Sequence, residues 1–180
     1  LPIVPITDLT IRDNSLIVAT QGRSIWMIDD LTVIHQLTSP TDKVKLYKPK
    51  DSYRMSGTGG NKSLKAGTNL PNGTIIHYFI PNYDKDNDQV KLSIHSADGT
   101  LIKDFSNKSK ENLLKVKNGG NLFVWNMKYP GAKQLENMVL WGTDFSGAKA
   151  VPGNYIVKLK VNDTEIAQES TIHKHPTSEG

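Results

Sequence analysis

The chain has 180 residues, of which 37% are hydrophobic and 22% charged, with 22 basic against 18 acidic side chains and no cysteine. That length suits one large domain, or one domain plus part of another. The absence of cysteine excludes disulfide frameworks, thiolate zinc sites and cysteine nucleophiles, and no stretch approaches the roughly 18 apolar residues of a membrane-spanning helix.

The net charge of +4 comes from scattered lysines and from Arg12, Arg23 and Arg54. A nucleic-acid binder concentrates its excess in a stripe with interleaved aromatics, so no nucleic-acid partner is expected. The first residues, Leu1-Pro2-Ile3-Val4-Pro5, carry no initiator Met, basic segment or cleavage pattern, and read as the start of a piece excised from a longer protein.

Three short strands are expected next. Thr7 to Arg12 alternates polar and apolar residues, Leu16 to Thr20 is a buried-strand run, and Ser24 to Ile28 is rich in β-branched and aromatic residues. Asp13-Asn14-Ser15 and Gln21-Gly22-Arg23 are the turns between them. Asp29 and Asp30 precede Leu31, Val33, Ile34 and Leu37, a spacing that predicts a short helix capped by an aspartate.

Thr38 to Asp42 is a linker signal, Val44 to Tyr47 a short strand, and residues 56–74 a glycine-rich loop. Strand follows strand thereafter: Ile75–Ile80, Gln89–His95, Leu101–Phe105, Leu113–Val116, Leu122–Met127, Tyr155–Val161 and Glu165–His173. Asp98-Gly99 is a tight hairpin signal, since both residues can adopt positive φ, and Asn162-Asp163 is a second hairpin candidate. Many short strands without a long amphipathic helix predict an all-β fold, a β-sandwich.

Two segments resemble known families. Pro5 to Leu9 with Leu16 to Leu31 resembles the last blade of sortilin-like, neuraminidase-repeat β-propellers of exported bacterial proteins, often labelled glycosyl hydrolases; Gln21 stands where that pattern usually has His. Gly120 to Asn126 with Gly147 to Leu159 is similar to the immunoglobulin-like domain of flagellar hook-capping proteins, and to the sandwich that follows the propeller in the exported family. Asn69 to Ile75 matches the loop leading into that sandwich. The resemblance implies a blade remnant over 1–40, a linker and glycine-rich loop over 41–74, an immunoglobulin-like (fibronectin-like) sandwich over 75–176 and a tail over 177–180. It also implies export to the periplasm, cell surface or medium, with the upstream propeller as partner.

Chemistry is sparse. A glycosidase needs two carboxylates about 5–10 Å apart, but Asp29 and Asp30 are adjacent, and three dispersed arginines do not make a sialidase cluster. Asp84, Asp86 and Asp88 imitate the start of a calcium loop, yet Gln89 and His95 occupy the positions where an EF-hand needs Gly and Glu. An acidic turn is the plainer reading, with those three as weak calcium candidates. Gly57 to Ser63 lacks the Gly-Lys-Ser and the helix of a phosphate loop. His173 and His175 share a strand face by spacing, but lack a third ligand. Trp125 and Phe123 are read as core, and Trp141 as the most exposed tryptophan.

The sequence therefore points to a non-catalytic structural or interaction region with no cofactor. Its severed first strands are expected to dock on the sandwich or to exchange between copies. An alternative is a carbohydrate-binding module using Trp141, Tyr129, Tyr83 and Tyr53. A third is part of a hydrolase site lying mainly upstream, with Asp8, Arg23 and Asp29 the residues to inspect.

Overall fold

The computed structural model describes residues 3–37, 42–55, 70–132 and 145–177. The chain divides into two compact units, Leu1–Pro40 and Thr41–Gly180.

The first unit is an antiparallel meander of β1 (Ile6–Arg12), β2 (Ser15–Thr20) and β3 (Ile25–Ile28). Asp13 and Asn14 connect β1 to β2 at φ 50° and 66°. Positive φ at both central residues matches the right-handed twist of the flanking strands, which explains the Asp-Asn pair. Residue pairing sets the faces. Leu9, Val18 and Trp26 lie in one row and Ile11, Leu16 and Ile28 in the next, so these two rows of one face are apolar. The other face holds Thr10, Ile17 and Met27 beside Asp8, Ala19 and Ile25.

A single helical turn, α1 (Thr32–His35), follows. The expected aspartate cap is displaced: Leu31 is the N-cap, and Asp30, one residue earlier, accepts from the Thr32 amide at 2.9 Å. Asp30 also accepts from the Asn14 side-chain amide at 2.9 Å, which ties the first turn to the helix.

The second unit is sandwich-like, with strands β4 (Lys45–Leu46), β5 (Ser52–Tyr53), β6 (Thr74–Ile80), β7 (Val90–Ser96), β8 (Leu101–Ser106), β9 (Gly119–Trp125), β10 (Gly153–Val161) and β11 (Thr164–His173). One sheet has the order β5-β11-β10-β7-β8 and the other β4-β6-β9. The period-2 pattern decides what faces inward. Thr74, Ile76, Tyr78 and Ile80 of β6 are buried, as are Tyr155, Val157, Leu159 and Val161 of β10. All of these but Thr74 join Leu46, Val90, Leu92, Ile94, Trp125, Met127 and Ile172 in one core drawn from both sheets. Trp125 is 1% exposed and meets Tyr155 edge-on at 5.6 Å. Phe123, two residues back on the same face, packs on Phe105 at 4.5 Å.

Four expectations need correction. Leu113–Val116 forms no strand: Leu113 is exposed, Leu114 is buried, and a lone parallel bridge joins Leu113 to Ser106. Of Asp98 and Gly99, only Gly99 takes positive φ. The turn closes between the Gly99 amide and the Ser96 carbonyl, while the Asp98 carboxylate caps it by accepting from Ser96 and Thr100. β11 ends at His173, so His175 lies beyond the strand and shares no strand face with it. The strand expected from Tyr155 to Val161 begins two residues earlier, at Gly153.

Candidate functional site

Strand directions sort the loops of the sandwich into two poles. β6 ends at Ile80 opposite Gly119, and β10 ends at Val161 opposite Val90. The loops over 81–89, 107–118 and 162–163 therefore share one pole. Residues 50–55, 126–132, 145–152 and 174–177 share the other.

The acidic turn occupies the first pole, and its carboxylates are already engaged. Asp84 accepts from the backbone amides of Asp86 and Asn87 and from the Asn87 side chain. The Asn87 side chain, followed by those amides, holds the Asp84 carboxyl below its ordinary range. Asp88 accepts from the Asp84 amide at 2.8 Å and from the Asn162 side chain at 2.8 Å, and these lower its pKa in that order. Where a calcium ion would need carbonyl oxygens, the Lys108 ammonium donates to the carbonyls of Lys85 and Asp86 at 2.9 and 2.8 Å. The Asp86 side chain is exposed. Among the described residues no group of three or more His, Asp or Glu is placed to hold a metal.

Two asparagines complete this clamp. Asn107 accepts from the Val90 amide at 2.9 Å and donates to the Asp88 carbonyl and the Tyr83 hydroxyl at 2.8 and 3.0 Å. Asn162, at φ 52°, accepts from the Gln89 amide at 2.9 Å. Three loops are thereby sewn to the start of β7, which satisfies backbone groups that no strand partner reaches.

The candidate aromatic residues do not converge. Tyr83 belongs to this first pole, half-buried against the core. Tyr53 and Tyr129 lie at the second pole, and Trp141 lies outside the described residues. Tyr53 is 49% exposed and tilts over His173 at 5.4 Å, whose Nε2 meets the Asp51 carboxylate at 2.9 Å. Tyr129 packs half-buried against the core, beside Tyr155. The Tyr155 hydroxyl donates to the Val151 carbonyl at 2.7 Å, and burial is the first cause of its raised pKa.

The hydrolase candidates are also spread out. Asp8 accepts from its neighbour Leu9, Arg23 offers its carbonyl to the Trp26 indole, and Asp29 offers its carbonyl to Ser15. Arg23 and Asp29 sit beyond opposite ends of β3. Such an arrangement holds no paired carboxylates.

The sequence reading did not group three cations of the second pole: Arg54, Lys128 and Lys149. Lys128 and Lys149 face each other across an isolated antiparallel bridge. The Lys149 ammonium donates to the carbonyl of Met55, the residue after Arg54. They are far apart in the chain, and no local motif announces them.

No family model, curated protein or solved structure matches the chain.

Proposed function

We propose that the chain is a non-catalytic accessory region of an exported bacterial propeller protein of the glycosyl-hydrolase-labelled type. Its first unit is blade-derived, and its second is an immunoglobulin-like sandwich that packs, spaces or binds. The carrying observation is the meander with apolar side chains on both faces, among them Leu9, Trp26 and Ile28 on one and Ile25 and Met27 on the other, all exposed. A solvent-facing antiparallel sheet shows one polar face. A propeller blade is covered by neighbouring blades on both sides, which calls for apolar residues on both. The family resemblance of Leu16 to Leu31 agrees with this reading.

Sedimentation velocity over a hundredfold concentration range tests it. Uncovered blade faces self-associate, and Trp26→Ser with Ile28→Ser reduces that association while leaving the sandwich folded. Association unchanged by the double substitution would remove the reading. A second reading, a carbohydrate-binding module, is favoured by exposed Tyr53 beside a cationic pole. A glycan array with Tyr53→Ala and Trp141→Ala as controls tests that.

A further inference from the structure

Edge strands invite pairing with other chains, and folded sheets blunt them with short length, charge, proline or bulges. Among the described residues the sandwich has four sheet edges, and three are blunted. β4 and β5 are two residues each. β8 carries Lys103 and Asp104 and bulges at Ile102, which the register skips between Leu101 and Lys103. Its end is closed by the Ser106 amide on the Asn112 carbonyl and the Leu114 amide on the Ser106 carbonyl. β9 has none of these devices: Gly119–Trp125 runs for seven residues with no charge, no proline and no bulge in its pairing.

The free side of β9 follows from its register. The Tyr47 amide donates to the His77 carbonyl at 3.1 Å, so the His77 backbone faces β4. His77 pairs with Leu122. Facing residues of an antiparallel ladder turn toward each other or away together, so Leu122 directs its N–H and C=O away from β6, and Gly120 and Val124 do the same. Among the described residues no strand pairs with β9 on that side. The flank is apolar and half-covered: Phe123 packs on Phe105 at 4.5 Å, both partly buried, and Leu122 is 56% exposed. A groove of about 290 Å³ is lined by Lys115, Val116, Lys117, Asn121 and Leu122. Asn121 is buried on the inner face and Leu122 exposed on the outer, so a groove that touches both lies beside the strand.

We propose that the β9 edge is a docking site for an extended acidic segment of a partner protein, which adds as a strand beside Gly120, Leu122 and Val124 and sets its carboxylates against Lys115 and Lys117. Main-chain hydrogen bonds hold such a strand, and the side chains beside it select which strand is held. Charge decides the occupant. Residues 110–118 carry Lys110, Lys115 and Lys117 against one carboxylate, Glu111. Lys115 and Lys117 are exposed, and among the described residues no ion pair reaches either. A second copy is disfavoured by the same charges. Leu122 is the middle residue of β9, so a two-fold pairing centred there brings Lys115 and Lys117 of both copies onto one axis. The added strand would also widen the three-stranded sheet and cover Phe123. This inference is independent of the blade reading, since every residue in it belongs to the second unit.

The test adds a capped peptide of alternating valine and glutamate to the full chain at fixed protein concentration, with the valine–lysine peptide as counter-probe, and follows amide shifts and hydrogen exchange. Saturable shifts and slowed exchange at Gly120, Leu122 and Val124 are expected from the acidic peptide alone, with half-saturation below about 1 mM. Leu122→Pro removes a donor that faces away from β6, so the sandwich should stay folded while binding falls about tenfold or more. Lys115→Glu combined with Lys117→Glu, both at exposed side chains, should move the preference to the lysine peptide, and it keeps the test intact if Leu122→Pro fails to fold. Equal binding of the two peptides, or a preference unchanged by the double charge reversal, overturns the acidic partner. Exchange at the three amides that neither peptide slows overturns the edge. Protection of those amides that rises with protein concentration in the absence of peptide overturns the proposal in favour of a second copy.

Discussion

The two units spend their apolar residues in opposite ways. The sandwich turns Trp125, Tyr78, Leu92, Leu159 and their neighbours into one closed core. In the meander only Val18 and Leu31 are buried among the described hydrophobic residues, while Leu9, Ile11, Ile25, Trp26, Met27 and Ile28 are exposed. Both regions show the strand pattern. What differs is whether a second layer is present to receive it, because a three-stranded sheet without a covering layer is marginal in water. Exposed apolar area of that kind marks an interaction surface.

The sharpest way to break this comparison is to truncate one tryptophan in each unit. Trp125→Ala empties the sandwich core and should destabilise that unit by about 3–5 kcal/mol in denaturant melts. Trp26→Ala, at a 42% exposed position, should change stability by no more than about 1 kcal/mol while reducing self-association. Equal effects of the two substitutions on stability would erase the distinction.

Gly73 comes next. It takes φ 150°, and a Cβ there would lie 2.4 Å from the Trp125 carbonyl oxygen. Gly73→Ala should cost about 1–3 kcal/mol, read as a lower melting temperature of the sandwich. Asn107→Ala should cost a similar or slightly smaller amount, about 1–2 kcal/mol, because it strands the Val90 amide and the Asp88 carbonyl. Neither substitution should alter association through the meander.

Acid should act on the sandwich through Asp84, Asp88 and Asp98, whose pKa values are all lowered in the fold. A depressed folded-state pKa contributes stability above the unfolded value, and that contribution is lost as pH falls through the folded one. The melting temperature should therefore hold near neutrality and decline below about pH 4. Asn87→Ala, which removes the largest cause of the Asp84 shift, should shallow that decline. The smallest expected effect is that of calcium. Millimolar calcium should leave the melting temperature unchanged, since Lys108 already occupies the carbonyls of the acidic turn; a rise would restore Asp84, Asp86 and Asp88 as ligands.

The strands were legible where a period-2 pattern ran for six residues or more, as in β6 and β10, and Trp125 was readable as core from its mid-strand place beside Phe123. β5 has only Ser52 and Tyr53, too few to show a period, and its parallel pairing with β11 is non-local. Leu113 and Leu114 read as strand because apolar neighbours look alike in sequence, although one faces water and the other the core. The acidic turn was visible as a turn, but its partners Lys108, Asn107 and Asn162 come from distant loops. The cationic pole was hidden for the same reason: a bridge between Lys128 and Lys149 exists only once the segments after β9 and before β10 have met.

Hydrogen exchange followed against protein concentration tests the central claim most directly. The account predicts that amides of residues 6–28 gain protection as concentration rises, while those of 74–80, 90–96 and 153–161 are already protected and stay constant. A monodisperse monomer at every concentration, with residues 6–29 exchanging at free-chain rates, would contradict it.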